Sequence, residues 1–200
     1  MSRPVTDRKK HIVEVASELF SQQGFDGVTI KQLARACDIT EAALYRHFDS
    51  KEAIYDAVLD TIGDRLHYQD LFADLESERD LEALMQSLAR HIIDFFSSNS
   101  DLYRLLLFSA LRGHTKAKRV YDTIRGTYTR FLKLQLDRLR TEGRIIEKNN
   151  EMTARCFVGM VFDCSLASTL WKGFQGQVFK PADVVANNVP IYVRGLSAQT

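Results

Sequence analysis

Thr29-Ile30-Lys31-Gln32-Leu33-Ala34-Arg35-Ala36-Cys37-Asp38-Ile39-Thr40-Glu41-Ala42-Ala43-Leu44-Tyr45-Arg46-His47-Phe48-Asp49-Ser50-Lys51 is the stretch whose reading decides the fold. Thr29 with Gln32 three residues on has capping-box spacing, so a helix starts at Ile30. Thr40 offers a second N-cap hydroxyl, and another short helix follows it. Asp38-Ile39 leaves room only for a tight turn between them. Leu33, Ala34, Ile39 and Leu44 supply a small core that fixes the angle between the helices. This is the helix-turn-helix layout, which implies a second helix able to enter the major groove of DNA.

The residue types in the stretch suit that task. DNA binding needs phosphate contacts that set register and a few short side chains that reach base edges. Thr29, Tyr45, His47 and Lys51 are donors near helix ends, suited to phosphates, and Arg46 adds a placed cation. Thr40, Glu41, Ala42 and Ala43 form the first turn of the expected recognition helix. Small residues there admit the backbone to the groove, and an alanine methyl can meet a thymine methyl. Glu41 either accepts from a cytosine amino group or strengthens the helix N-terminus. The N-terminal arm carries Arg3, Arg8, Lys9 and Lys10 against Asp7. Such an arm reaches phosphates or frays into solvent.

Outward from this stretch the chain reads as helix almost throughout. Helices are expected near 6–23, where Ile12, Ala16, Leu19 and Phe20 share a face, and from about Ser50, with Ile54, Ala57, Val58 and Ile62. Further helices are expected at 80–97, 101–112, 115–141 and 151–172, and from about Ala182, where Pro190 kinks or interrupts the last. Period-two alternation is scarce, so no strands are expected. The fold class is all-α. A DNA-binding head occupies about residues 1–50 and a larger helical regulatory and dimerisation domain about 51–200.

Composition bounds the rest. The 200 residues carry 27 Lys+Arg against 26 Asp+Glu, and even residues 1–55 are balanced at 8 and 8. That excludes a nonspecific polycation but leaves room for a few placed contacts. Three cysteines (Cys37, Cys156 and Cys164) without zinc spacing exclude a disulfide scaffold and point to a reducing cytoplasm. The N-terminus lacks the apolar run of a signal peptide. The most apolar stretch, Cys156–Trp171, is too short for a membrane span and is interrupted by Asp163. His67, His91 and His114 have no ligand-like spacing, so no metal is expected. Neither a cofactor motif nor a nucleophile–base pair is visible, so the chain does not read as an enzyme.

Two expectations concern the larger domain. Phe95, Tyr103, Phe108, Tyr121, Tyr128 and Met160 sit at helical spacing and either fill a core or line a cavity for an apolar or aromatic effector. Arg90, His114, Gln135 and Asp163 are candidate polar handles, Asp163 foremost because a carboxylate in that apolar setting needs a partner if buried. The helix at 151–172, apolar on nearly every side, needs cover on two faces. With the helix near 182–195 it is the expected surface of a homodimer.

The sequence resembles the tetracycline-repressor (TetR) family of bacterial regulators. Phe20, Gly24-Phe25, Thr29, Leu33-Ala34, Ile39-Thr40 and above all Leu44-Tyr45-Arg46-His47-Phe48-Asp49-Ser50-Lys51-Glu52 carry the resemblance. It implies a homodimeric repressor released from a double-stranded operator by a small-molecule effector. It also implies backbone contacts from Tyr45, His47 and Lys51 and base reading by residues 40–43. Asp38 stands where the family commonly has glycine, and Glu41 where a basic or polar residue is common. The competing class is an all-helical small-molecule binder or adaptor without sequence-specific DNA binding.

Overall fold

The computed structural model describes residues 5–65, 72–169 and 179–197. Among them are nine helices: α1 (Val5–Gly27), α2 (Ile30–Ala36), α3 (Glu41–Tyr45), α4 (Lys51–Arg65), α5 (Ala73–Glu76), α6 (Leu81–Leu111), α7 (Thr115–Thr141), α8 (Asn150–Thr169) and α9 (Pro181–Leu196). No strand occurs among the described residues; a single bridge joins Ile145 and Ser197. The chain packs as two units, Met1–Leu66 with Asp101–Asp122, and His67–Ser100 with Thr123–Thr200.

The first unit is built around α1 and α4. Ile12, Ala16 and Phe20 of α1 and Ile54, Tyr55 and Leu59 of α4 are fully buried. The edge of Tyr55 meets Phe20 at 5.2 Å and Phe25 at 4.9 Å between ring centroids, the edge-to-face geometry that aromatic quadrupoles favour. Its hydroxyl donates to Ser109, and burial pushes the phenol's pKa up. Gly24 breaks the regularity of α1 with φ 73° and ψ 167°, a conformation open in practice to glycine alone. The helix therefore bends where the periodicity predicts a stop, and continues to Gly27.

The second unit has an aromatic core. Phe72 stacks on Phe131 at 4.1 Å, and Tyr128 meets the edges of Phe72 and Phe162. Arg138 ties α5 to α7 by donating to the carbonyls of Glu76 and Glu78. Phe157 of α8 meets Tyr192 of α9 edge-on at 5.2 Å. Pro190 lies inside α9 without ending it.

Two expected helices, 80–97 and 101–112, are one element, α6, with a single non-helical residue at Asn99 (φ −132°, ψ 25°). The Asn99 amide donates to the Phe95 carbonyl at 2.9 Å. A side chain thus bonds to the helix backbone at the kink, and the helix resumes. The expected end of α8 at 170–172 lies outside the described residues. No described helix is long and apolar enough to cross a membrane.

Candidate nucleic-acid interface

Local rules set the helix-turn-helix. The Thr29 hydroxyl accepts from the Gln32 amide at 3.2 Å, and the Gln32 side chain accepts from the Thr29 amide at 2.7 Å. This is the full reciprocal capping box, which satisfies two donors that a helix start otherwise leaves open. At the other end of α2, Asp38 adopts φ 54°, and Ile39 donates back to the Ala34 carbonyl at 3.0 Å. Aspartate tolerates this left-handed conformation better than most residues. The turn is thus built without glycine. Thr40 caps α3 by accepting from Ala43 at 3.1 Å.

The inner and outer faces separate cleanly. Leu33, Ala34, Cys37 and Leu44 are buried, and burial pushes the Cys37 thiol up. Thr29, Thr40, Glu41, Ala42, Tyr45 and Arg46 are exposed, while Ala43 and His47 are half-buried. Tyr45 is 49% exposed, which leaves its hydroxyl free of the core. Thr40 to Arg46 form α3 and its caps, His47 follows directly, and Thr29 stands apart from them at the N-cap of α2.

Lys51 has a role that spacing alone does not reveal. Its ammonium donates to the carbonyls of Phe25 and Val28, both at 3.0 Å, and lies 4.2 Å from the centre of the Phe25 ring. It thus binds the end of α1 to the start of α4. One signal was available: a cation in the first turn of a helix opposes the helix dipole, so it needs anionic or carbonyl partners elsewhere. Residues 8–10 of the expected arm are helical, within α1, and Lys9 there lies over the Phe48 ring at 5.0 Å.

The expected effector residues fall in both units. Tyr103, Phe108 and Tyr121 belong to the first; Phe95, Tyr128, Met160 and Asp163 belong to the second. Tyr103 and Tyr121 lie 5.5 Å apart, and Phe95 and Tyr128 lie 6.5 Å apart. Tyr128 is buried, Met160 is half-buried, and Asp163 is exposed. The solvent on Asp163 removes the need for a buried partner. No group of three or more His, Cys, Asp or Glu among the described residues is placed to hold a metal.

The family profile described as "Bacterial regulatory proteins, tetR family" matches residues 12–58, which take in α1 from Ile12, α2, α3 and the first half of α4. Residues 12–58 thus carry the N-terminal DNA-binding pattern of that family. The Staphylococcus aureus biofilm operon icaADBC HTH-type negative transcriptional regulator IcaR is 36% identical over 86 residues, 43% of this chain and 46% of that protein. The nucleoid occlusion factor SlmA of a Marinomonas species is 28% identical over 123 residues, 62% of each. The chain therefore spans under half the length of the first of these relatives. Among solved structures, one described as a TetR-family transcriptional regulator from Mesorhizobium loti superposes with a TM-score of 0.71 at 17% identity, over 98% of this chain and 100% of that one. AibR in complex with isovaleryl coenzyme A and operator DNA does so with 0.63 at 21% identity, over 92% and 97%. At such identities the superpositions speak for the fold.

Proposed function

We propose that this chain is a TetR-family, ligand-responsive DNA-binding transcriptional regulator, a homodimeric repressor. The observation that carries the reading is the capped helix-turn-helix with its polar residues turned outward. Thr29, Tyr45, Arg46, His47 and Lys51 meet the DNA backbone, and Thr40, Glu41, Ala42 and Ala43 meet base edges. Residues 1–50 act as the DNA-binding head and 51–200 as the regulatory and dimerisation domain. AibR, which shares the fold, was solved with an acyl coenzyme A and operator DNA, and FadR from Bacillus subtilis with stearoyl-CoA. The first supports operator binding, and both support a small-molecule effector, as the reading of the whole chain.

The effector is a small molecule with an apolar or aromatic body, held in the helical domain near Phe95, Tyr128 and Met160. Gln135 is 9% exposed, and its side-chain carbonyl has no hydrogen-bond partner among the described residues. A buried polar atom of this kind suits one polar group on an otherwise apolar ligand. By linkage, effector and operator weaken each other's binding by the same factor.

Fluorescence anisotropy with DNA flanking the chain's own gene tests the reading. Sequence-specific, salt-dependent binding is expected, weakened by Tyr45→Phe and by Ala42→Glu. Binding indistinguishable from that of scrambled DNA at low salt would instead favour an adaptor.

A further inference from the structure

The first unit carries a cleft of about 480 Å³ between the last two turns of α1 and residues 104–112 of α6. That size lies within the range of small-molecule pockets. Phe20, Phe25, Leu105 and Phe108 give it an apolar lining, and Arg104 and Arg112 stand with them. Phe20 is sealed in the core, but Phe108 is 51% exposed. An apolar ring left open in a concave wall gives the body of a ligand a surface to lie on.

The two guanidiniums set the charge of the occupant. Arg104 donates to the Ser21 carbonyl at 3.0 Å and contacts Asp101 at 3.4 Å. Arg112 pairs with Asp26. Of these carboxylates only Asp26 lines the cleft, so two cations face one anion there. A guanidinium has five N–H donors in a planar fork, and the contacts above engage only part of each. The remaining donors suit a second, bidentate anion.

We propose that this cleft binds an amphiphilic organic anion. Its flat or acyl body lies on Phe25, Leu105 and Phe108, and its carboxylate pairs with a free donor of Arg104 or of Arg112. The site is distinct from the effector site proposed near Tyr128, and it stands whether or not the chain binds DNA. Its wall also touches the recognition machinery. Gln23 lines the cleft and accepts from the Gln32 side chain at 3.4 Å, the same side chain that closes the capping box of α2. An occupant that displaces Gln23 is therefore felt at the start of the helix-turn-helix.

Titration of the full chain with 1-naphthoate, followed by NMR of labelled phenylalanine rings, tests the proposal. Saturable shifts at Phe108 and Phe25 are expected. The neutral 1-naphthalenemethanol is expected to bind about tenfold more weakly, and so is 1-naphthoate to Arg104→Met/Arg112→Met, a change of about 1.4 kcal/mol in each case. Asp26→Asn removes the competing carboxylate and is expected to tighten binding, an effect that general loosening of the fold does not produce. Absence of a saturable shift at Phe108 up to about 10 mM naphthoate, or affinity unmoved by both the double variant and Asp26→Asn, overturns it.

Discussion

Lys51 shows how much one side chain can do in this head. Its ammonium bridges two carbonyls at the end of α1 and lies over the Phe25 ring, and an ammonium has three donors. Two are taken by the scaffold, which leaves one for a phosphate. Lys51→Met keeps the aliphatic stem but strands both part-buried carbonyls. Charge-assisted bonds contribute about 1.5–3 kcal/mol each and are not additive, so a loss of about 2–3 kcal/mol is expected, read as a lower midpoint in thermal melting without DNA. If the third donor meets a phosphate, the salt dependence of operator binding also falls by about one ion. A shifted melt with an unchanged salt slope assigns Lys51 to the scaffold alone.

At the scale of elements, helix ends were legible where chemistry marks them. The hydroxyls of Thr29 and Thr40 placed the starts of α2 and α3, and periodicity placed α7 at 115–141. The four-residue α5 lacks a side-chain cap, and nothing in its spacing separates it from a turn. The cleft beside α1 was not legible either, because it joins residues about 80 apart in sequence and no periodicity links them. Gly126 stands in the middle of α7, and no side chain or other element among the described residues lies within 4 Å of where its Cβ would stand. Helix propensity alone then decides, and Gly126→Ala is expected to stabilise the fold by up to about 1 kcal/mol. A lower melting midpoint would show that something else occupies the space.

The joint between α7 and α8 gives the second prediction at this scale. Asp137 accepts from Lys133 at 2.7 Å and from the Asn150 amide at 2.8 Å. The Lys133 bond first, then that from Asn150, holds the Asp137 carboxyl below its usual value of 3.8. A carboxylate with a depressed folded pKa stabilises the protein above its unfolded pKa, and the stabilisation is lost as pH falls through the folded value. Wild type is therefore expected to melt above Asp137→Asn near neutrality, with the gap closing below about pH 4. A gap constant from pH 3 to 7 would assign the effect of the substitution to shape and not to charge. Asp137 is about a third exposed, so solvent screening keeps the gap small.

The proposed function belongs to the whole molecule, because one recognition helix reads only half an operator. Two copies must hold their recognition helices about 34–36 Å apart to meet successive major-groove faces. Within the second unit, α8 and α9 leave apolar side chains in water: Met152 is 64% exposed and Ile191 62%, with Cys156 exposed one turn after Met152. The proposed homodimer, formed through α8 and α9, would cover these side chains. Met152→Glu tests it with little risk to the fold, since the residue already faces solvent in the single chain. Light scattering is expected to give about twice the 22.9 kDa chain mass for wild type and the single mass for Met152→Glu at the same micromolar concentration. The melt of the dilute variant should show a folded protein. Binding to a two-half-site operator should weaken far more than binding to a single half-site, because tethering of the two heads is lost. A Met152→Glu protein that stays dimeric and keeps full operator affinity would move the dimer surface away from α8.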